Sequence, residues 1–281
     1  MRSLKRPILL RYRLPALFLQ ERHVIFRSLF SGSANLFVDL IFSPRGYAMG
    51  GAAGPYSAEI DGIQFDTEAA INPAAVLSVA RSNVAGINSS VRGYAMCGLS
   101  STYQNEIDGI QFDTEAAVNP AAVLFVARSG SAGVNSTTRG YAMGGADGAY
   151  RDEIDGIQFD TEAAVNPAAV LFVARSIMAG VNSTTRGYAM GGFDGAVSAE
   201  IDGIQFDTEA AINPVATLSA SRYGAAGVNS TTRGYAMGGN TGVASAAIDG
   251  IQFDTEAAID PSAVLSIARN GQAGCQSTGI L

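Results

Sequence analysis

The string IDGIQFDTEAA begins at Ile60 and returns unchanged at Ile107, Ile154, Ile201 and Ile248, always 47 residues further on. Aligned on RGYAM, five units run 45–91, 92–138, 139–185, 186–232 and 233–279. A fixed period constrains a chain more than any single motif does. Each unit must bury its apolar surface on a copy of itself, so each is one supersecondary module stacked in series. Both propeller blades and paired-helix repeats come in units of this length, and local signals decide between them.

Those signals favour strands. RGYAMGG is a short run closed by two glycines, AEIDGIQFDTE carries Ile and Phe up to a polar turn, AAVLSVAR follows Asn72 and Pro73, and AGINSS leads into the next unit. Each is bounded by turn-forming residues. No stretch holds a 3.6-residue apolar period across the dozen or so residues a repeat helix needs, and glycine interrupts every attempt. Four short strands per unit make a propeller blade. The expected fold class is all-β: a five-bladed β-propeller of five four-stranded units over residues 45–281, with a basic N-terminal extension, residues 1–44, outside the repeat register. Within IDGIQF, Ile60 shares a side with Gly62 and Gln64, while Ile63 and Phe65 share the side of Asp61, so neither side is purely polar. That suits a strand covered on both faces by neighbouring blades. Ala48, Gly50, Gly51 and Gly62 are expected to let those blades approach closely.

An arginine such as Arg81, an inner strand AGINSS, an aromatic and a diglycine position as in Tyr94 to Gly98, and a strand ending in the Asp-initiated turn FDTE follow one another in order. In this the unit resembles a kelch repeat, over residues 45–281. It departs from the pattern in lacking a Trp after the turn and in carrying Cys97 where the first Gly of the pair belongs. The resemblance implies a propeller that works by protein interaction. Some kelch-like propellers are oxidases, but their copper-ligating His and Tyr set cannot be built from a chain with one histidine, His23. By period alone the chain is also similar to five-bladed lectin propellers.

The three carboxylates of each motif, Asp61, Asp66 and Glu68 in the first, invite a search for chemistry. An EF-hand loop needs oxygen ligands at positions 1, 3 and 5, Gly at 6 and Glu at 12. Counting from Asp61 places Ile63, Phe65, Asp66 and Asn72 there instead. The nonapeptide calcium repeat fails on its Gly and Asp spacing. A lone His23 and a lone Lys5 exclude a His-based triad, a His-rich zinc site and a Walker loop. Acid and base roles for paired carboxylates require unlike environments, and five near-identical units offer five near-identical ones. The expectation is therefore structural. Asp66 and Thr67 start a turn, Asp61 satisfies a backbone donor, and Glu68 or Glu59 pairs with Arg45 or Arg81. Tyr47 and Met49 are expected to pack between blades, and the inner-strand residues Asn88, Asn135, Asn182, Asn229 and Gln276 to line a central channel. No catalytic residue, metal or cofactor is implied.

Net charge is −7, but residues 1–44 carry seven Lys/Arg against two acids and residues 45–281 eleven Arg against 23 acids. A repeat body this acidic repels phosphates, so nucleic acid is not an expected partner. The N-terminal stretch is broken by Arg every few residues and holds no apolar run of membrane-spanning length; it has some of the character of a transit peptide. Cys97 and Cys275 each replace the residue found in other copies and imply no disulfide framework.

The copies differ mainly in two windows. One follows the glycines and reads AAGPYSA, LSSTYQN, ADGAYRD, FDGAVSA and NTGVASA; the other follows the last arginine and reads SNV, SGS, SIM, YGA and NGQ. With strands named a to d from the inner one outward, these are the b–c and d–a loops, which emerge on one face of the blades. Loops on a rigid scaffold commonly carry recognition. The chain thus reads as a non-enzymatic monomeric scaffold binding a protein or a surface glycan through Tyr56, Tyr103, Tyr150, Phe193 and Tyr223; the alternative is a structural segment of a fibre or surface appendage. Closure of the first blade by residues 273–278 is expected, with residues 31–42 as the rival source of that strand.

Overall fold

The computed structural model describes residues 23–27, 37–41 and 45–271, and every regular element among them is a strand. The chain clusters into two compact units, residues 1–47 with 62–72 and residues 48–61 with 73–281. In the smaller unit His23–Arg27 pairs antiparallel with Phe37–Ile41. Residues 37–41 therefore make a two-stranded sheet of their own, which removes them as the rival strand for the first blade. Closure by residues 273–278 lies outside the described residues.

The five units form five successive antiparallel sheets, and the fold class is the expected one: all-β, a five-bladed β-propeller. The first sheet is Arg45–Met49, Ile60–Gln64 and Ala69–Ile71. The second runs Ala85–Asn88, Arg92–Leu99, Tyr103–Gln111 and Ala117–Val118, with Val123–Arg128 also paired to its third strand. The third blade is Ala132–Asn135, Arg139–Ala146, Tyr150–Gln158 and Ala164–Val165. The fourth is Ala179–Asn182, Arg186–Met190, Ile201–Gln205 and Ala211–Ile212, and the fifth Ala226–Asn229, Arg233–Met237, Ile248–Gln252 and Ala258–Ile259. Each inner strand a is donated by the end of the preceding unit, which is why the first sheet has three described strands.

Strand d differs from expectation. It is the short AAV or AAI after the FDTE turn, and AAVLSVAR and its counterparts belong to the d–a connection, touching strand c through single bridges such as Glu153 with Val170, except in the second unit, where Val123–Arg128 is a strand paired with Tyr103–Gln111 as expected. The reason is a diverted donor. The Phe172 amide donates to the Asp202 carboxylate of the next blade at 2.8 Å and is withheld from a ladder; the Phe125 amide does the same with Asp155 at 2.7 Å, at the place where the pairing of Val123–Arg128 shifts register.

In every complete blade Tyr of RGYAM sits opposite Gly of IDG, as Tyr141 does opposite Gly156. A Cβ on Gly156 would run into the Gly140 carbonyl of strand b, so this glycine serves approach within a blade, not between blades as expected of Gly62. Blade-to-blade approach rests on the glycine of strand a. A Cβ on Gly133 would meet the Gly86 carbonyl, one on Gly180 that of Gly133, and one on Gly227 that of Gly180. The cores lie between these facing sheets. Tyr141, Met143, Ile154 and Leu171 of the third blade pack against Ala189, Ile204 and Phe206 of the fourth. Strand c thus sends Ile154 toward the following blade and Ile157 toward the preceding one, which accounts for its two apolar sides.

Candidate functional site

The repeated charges are consumed at the junctions between blades. Arg81, Arg128, Arg175 and Arg222 are fully buried, and each reaches the Asp of IDG one unit on: Asp108, Asp155, Asp202 and Asp249. Arg175 shows the complete set. Its Nη1 and Nη2 grip both carboxylate oxygens of Asp202, its Nε donates to the Gly191 carbonyl at 2.8 Å, and Nη2 donates to the Ala189 carbonyl at 3.0 Å. A guanidinium has five donors in a planar fork, and here a carboxylate and neighbouring carbonyls take them without water. Asp202 also accepts the Phe172 amide, the backbone donor expected of this column.

Glu of FDTE forms a second lock in the same sense, the acid again lying one unit after its arginine. Glu162 Oε1 accepts from Arg92 Nη1 and from the Tyr94 hydroxyl, both at 3.1 Å, and Glu209 accepts from Arg139 and Tyr141, both at 2.8 Å. Glu256 accepts from Tyr188 at 2.9 Å. The pairing of the Glu68 column with the Arg45 column is the expected one, made between consecutive copies. Each of these glutamates holds a left-handed backbone, φ 53 at Glu162 and 54 at Glu209, a conformation costly for a residue with a Cβ and retained where surrounding contacts fix it. The Tyr94, Tyr141 and Tyr188 rings stack on Phe159, Phe206 and Phe253 of the next blade at 5.8, 6.0 and 5.8 Å. Burial pushes all three phenols above their ordinary value, with the Glu acceptor raising them further. Tyr and Met of RGYAM are thus packing residues: Met96, Met143 and Met190 are buried. Along the inner strands the Asn182 amide donates to Asn229 Oδ1 at 3.4 Å. Burial raises the Cys97 thiol, which keeps it protonated and unreactive. Among the described residues no group of three or more His, Cys, Asp or Glu can hold a metal ion.

The variable windows meet at one end of the blades. Ser129 and Ala146 exchange backbone bonds at 2.9 Å, and Ser176 pairs likewise with Phe193 and Tyr223 with Asn240. A further ladder runs from blade to blade: Gly130 N donates to Asn83 O, Ile177 N to Gly130 O, Gly224 N to Ile177 O and Gly271 N to Gly224 O, at 2.7 to 3.0 Å. On this end three of the five singled-out aromatics converge. Tyr150 meets Phe193 edge to face at 5.9 Å and 70°, and Phe193 meets Tyr223 at 5.6 Å and 66°. Tyr56 and Tyr103 stand outside this cluster, 39% and 37% exposed. Beside Tyr150 lies a charged pair, Asp147 with Arg151, whose hydrogen bond holds the Asp147 carboxyl below its ordinary value.

Two features escaped the sequence reading. Ile177 is 45% exposed with φ 57, a β-branched side chain in a column otherwise filled by Asn and Gly, and that contrast was the available signal. Phe125 and Phe172 are about 60% exposed where other copies carry Ser, and at Ser78 and Ser219 the hydroxyl bonds the neighbouring Asp.

Fold and site together define the chain as a β-propeller whose motif residues join blade to blade, with its variation gathered on one loop-bearing end. It matches no protein-family model and no curated protein. Among the described residues no helix is long and apolar enough to cross a membrane.

Proposed function

We propose that the chain is a non-enzymatic binding scaffold that docks a protein on the end carrying the b–c and d–a loops. The supporting observation is the aromatic cluster. Tyr150, Phe193 and Tyr223 come from two successive units and two kinds of loop, and Phe193 touches both tyrosines; Tyr223 fills a column where other copies hold Ser or Asn, and Phe193 one that holds Ala, Leu or Asn. Partly exposed aromatics on a rigid base are the residue types that anchor interfaces. Edge-to-face packing sets the edge of one ring against the face of the next instead of offering a flat platform for a sugar, which favours a protein over a glycan. The kelch resemblance points the same way. The motif carboxylates, already bonded to Arg, Tyr and backbone amides, supply no pair in unlike environments for acid and base work, which supports a non-enzymatic role.

The test is recovery of binding partners by the intact chain, its Phe193→Ala variant and its Tyr150→Ser/Tyr223→Ser variant, with a glycan array in parallel. Each change leaves the fold intact and weakens the partner by more than about 1 kcal/mol, while Tyr56→Ser has a smaller effect. Unchanged affinity across these variants, or selective glycan capture, would contradict the proposal.

A further inference from the structure

Charge on the loop-bearing end is confined to the two units that build its aromatic cluster. In the variable stretches the only charged residues are Asp147, Arg151 and Asp152 of the third unit and Asp194 of the fourth. Arg151 is taken up locally. Its Nε donates to Asp147 Oδ1 at 2.9 Å, its Nη2 donates to the other Asp147 oxygen, and its Nη1 stands 3.6 Å from Glu153 Oε1. Asp194 is exposed and, among the described residues, forms no ion pair. Its Oδ1 accepts the Ala196 amide at 3.1 Å and its own amide donates to the Ala196 carbonyl at 3.1 Å, which fixes the turn and leaves the negative charge uncompensated. That turn belongs to the cluster. Phe193 leads into it, and a Cβ on Gly195 would lie 4.0 Å from Tyr150 Cε2, so the Tyr150 ring rests against the Asp194–Gly195 turn.

The hydroxyls add to this. Tyr94, Tyr141 and Tyr188 each give theirs to a glutamate, whereas among the described residues those of Tyr150 and Tyr223 have no hydrogen-bond partner. An unpaired carboxylate, two phenol oxygens and three aromatic rings are all electron-rich, and what they attract in common is a cation bearing N–H donors. The repeat body, with eleven Arg against 23 acids, draws the same kind of group and repels an acidic one. A guanidinium suits the site better than an ammonium, because its plane can lie on a ring while its fork meets a carboxylate and because it is more weakly hydrated.

We infer that Tyr150, Phe193, Tyr223 and Asp194 together seat an arginine side chain of the partner protein, its guanidinium laid on the Tyr150 ring and paired with the Asp194 carboxylate. The inference rests on the reading of this end as a protein-docking surface and adds the chemistry of what docks there: a segment that presents an arginine. Asp194 supplies the charge that selects it, and the rings supply the surface that holds it. The same pairing is already made inside the molecule, where Arg175 meets Asp202, but there both partners belong to the chain.

The test selects from an immobilised library of random decapeptides with the full chain, then titrates the selected peptides in solution against the parent and its variants. Arginine is enriched among them. Replacing that arginine by citrulline, which keeps the shape and removes the charge, raises the dissociation constant at least roughly 10-fold, and lysine in its place raises it at least roughly 3-fold. Asp194→Asn keeps an oxygen for the Ala196 amide and so preserves the turn; it weakens the arginine peptide at least roughly 5-fold and leaves the citrulline peptide unchanged. Asp207→Asn removes the same charge from the exposed FDTE turn of the same unit and changes either peptide by less than about 2-fold, which separates a local seat from the diffuse attraction of an acidic body. Phe193→Ala weakens both peptides. Peptides that depend on Phe193 without carrying arginine, a lysine form that binds as well, or an Asp194→Asn effect no larger than that of Asp207→Asn each overturn this inference while the protein-docking reading stands. Selection of no peptide that depends on Phe193 overturns both.

Discussion

Arg175 and Arg269 occupy the same column of the repeat, each after an alanine, yet one is fully buried between blades and the other is exposed. The same holds for Asp202 and Asp61. Burial here belongs to the junction and not to the residue. An arginine of this motif becomes a structural lock only when the next unit supplies a carboxylate and two carbonyls, because an unpaired charge cannot leave water without a large cost.

The comparison can be broken in a definite order. Arg175→Met leaves Asp202 buried without its cation and is expected to cost about 3–5 kcal/mol, read as a lowered denaturant midpoint. Arg269→Met, at an exposed position, leaves the midpoint unchanged. Equal losses at the two positions would mean that Arg269 is paired in solution.

Glycine of the inner strand gives a second contrast. Gly180→Ala drives a methyl into the Gly133 carbonyl and is expected to cost about 1–3 kcal/mol. At Gly86, first of the column, a Cβ meets nothing within 4 Å, so Gly86→Ala stays within about 1 kcal/mol of the parent in the same urea titration. If Gly86→Ala proves as damaging as Gly180→Ala, another strand backs onto that site.

Alkaline pH separates the junction tyrosines from the rest. The phenols of Tyr94, Tyr141 and Tyr188 are raised in the folded chain by burial, so the unfolded chain loses its protons first as pH climbs. Their contribution is fully present below the unfolded value near 10 and is lost above it, as pH rises toward the folded values. Stability therefore declines above about pH 10, and Tyr141→Phe/Tyr188→Phe makes that decline shallower. A decline as steep in the double variant would assign the alkaline loss elsewhere. The smallest effect is expected at the half-exposed lock: Glu209→Gln weakens the Arg139 pair and costs only about 0.2–1 kcal/mol in thermal or chemical unfolding.

How much of this could be read beforehand varies with the distance over which it is decided. Strands b and c were legible because their apolar pattern and closing glycines are local, and two covered faces follow from Ile60 and Ile63 pointing opposite ways. Strand d was misplaced because AAVLSVAR has strand composition while its amides answer to a carboxylate 30 residues on, as Phe172 does to Asp202. The backbone donor for Asp and the Arg45-column partner for Glu were legible from their chemistry; that the Arg81 column takes the Asp, and not Glu68 or Glu59 as expected, was not. Which copy supplies them was not, since Asp61 and Asp202 sit in identical strings. On the loop-bearing end, comparison among copies picked out Tyr150, Phe193 and Tyr223 one by one, but their mutual contact depends on how a d–a loop of one blade lies beside a b–c loop of another. Ile177 was passed over because a single β-branched residue among Asn and Gly carries no chemistry of its own.

The central claim is that the repeated arginines and carboxylates bind each blade to the next. A double-mutant cycle on Arg175 and Asp202, measured by urea unfolding of the parent, Arg175→Met, Asp202→Asn and the double variant, tests it directly. The account predicts that the double variant loses less than the sum of the two single losses, by at least about 1.5 kcal/mol, because each single change strands the other's charge or carbonyl partners. Losses that add to within about 0.5 kcal/mol would contradict it.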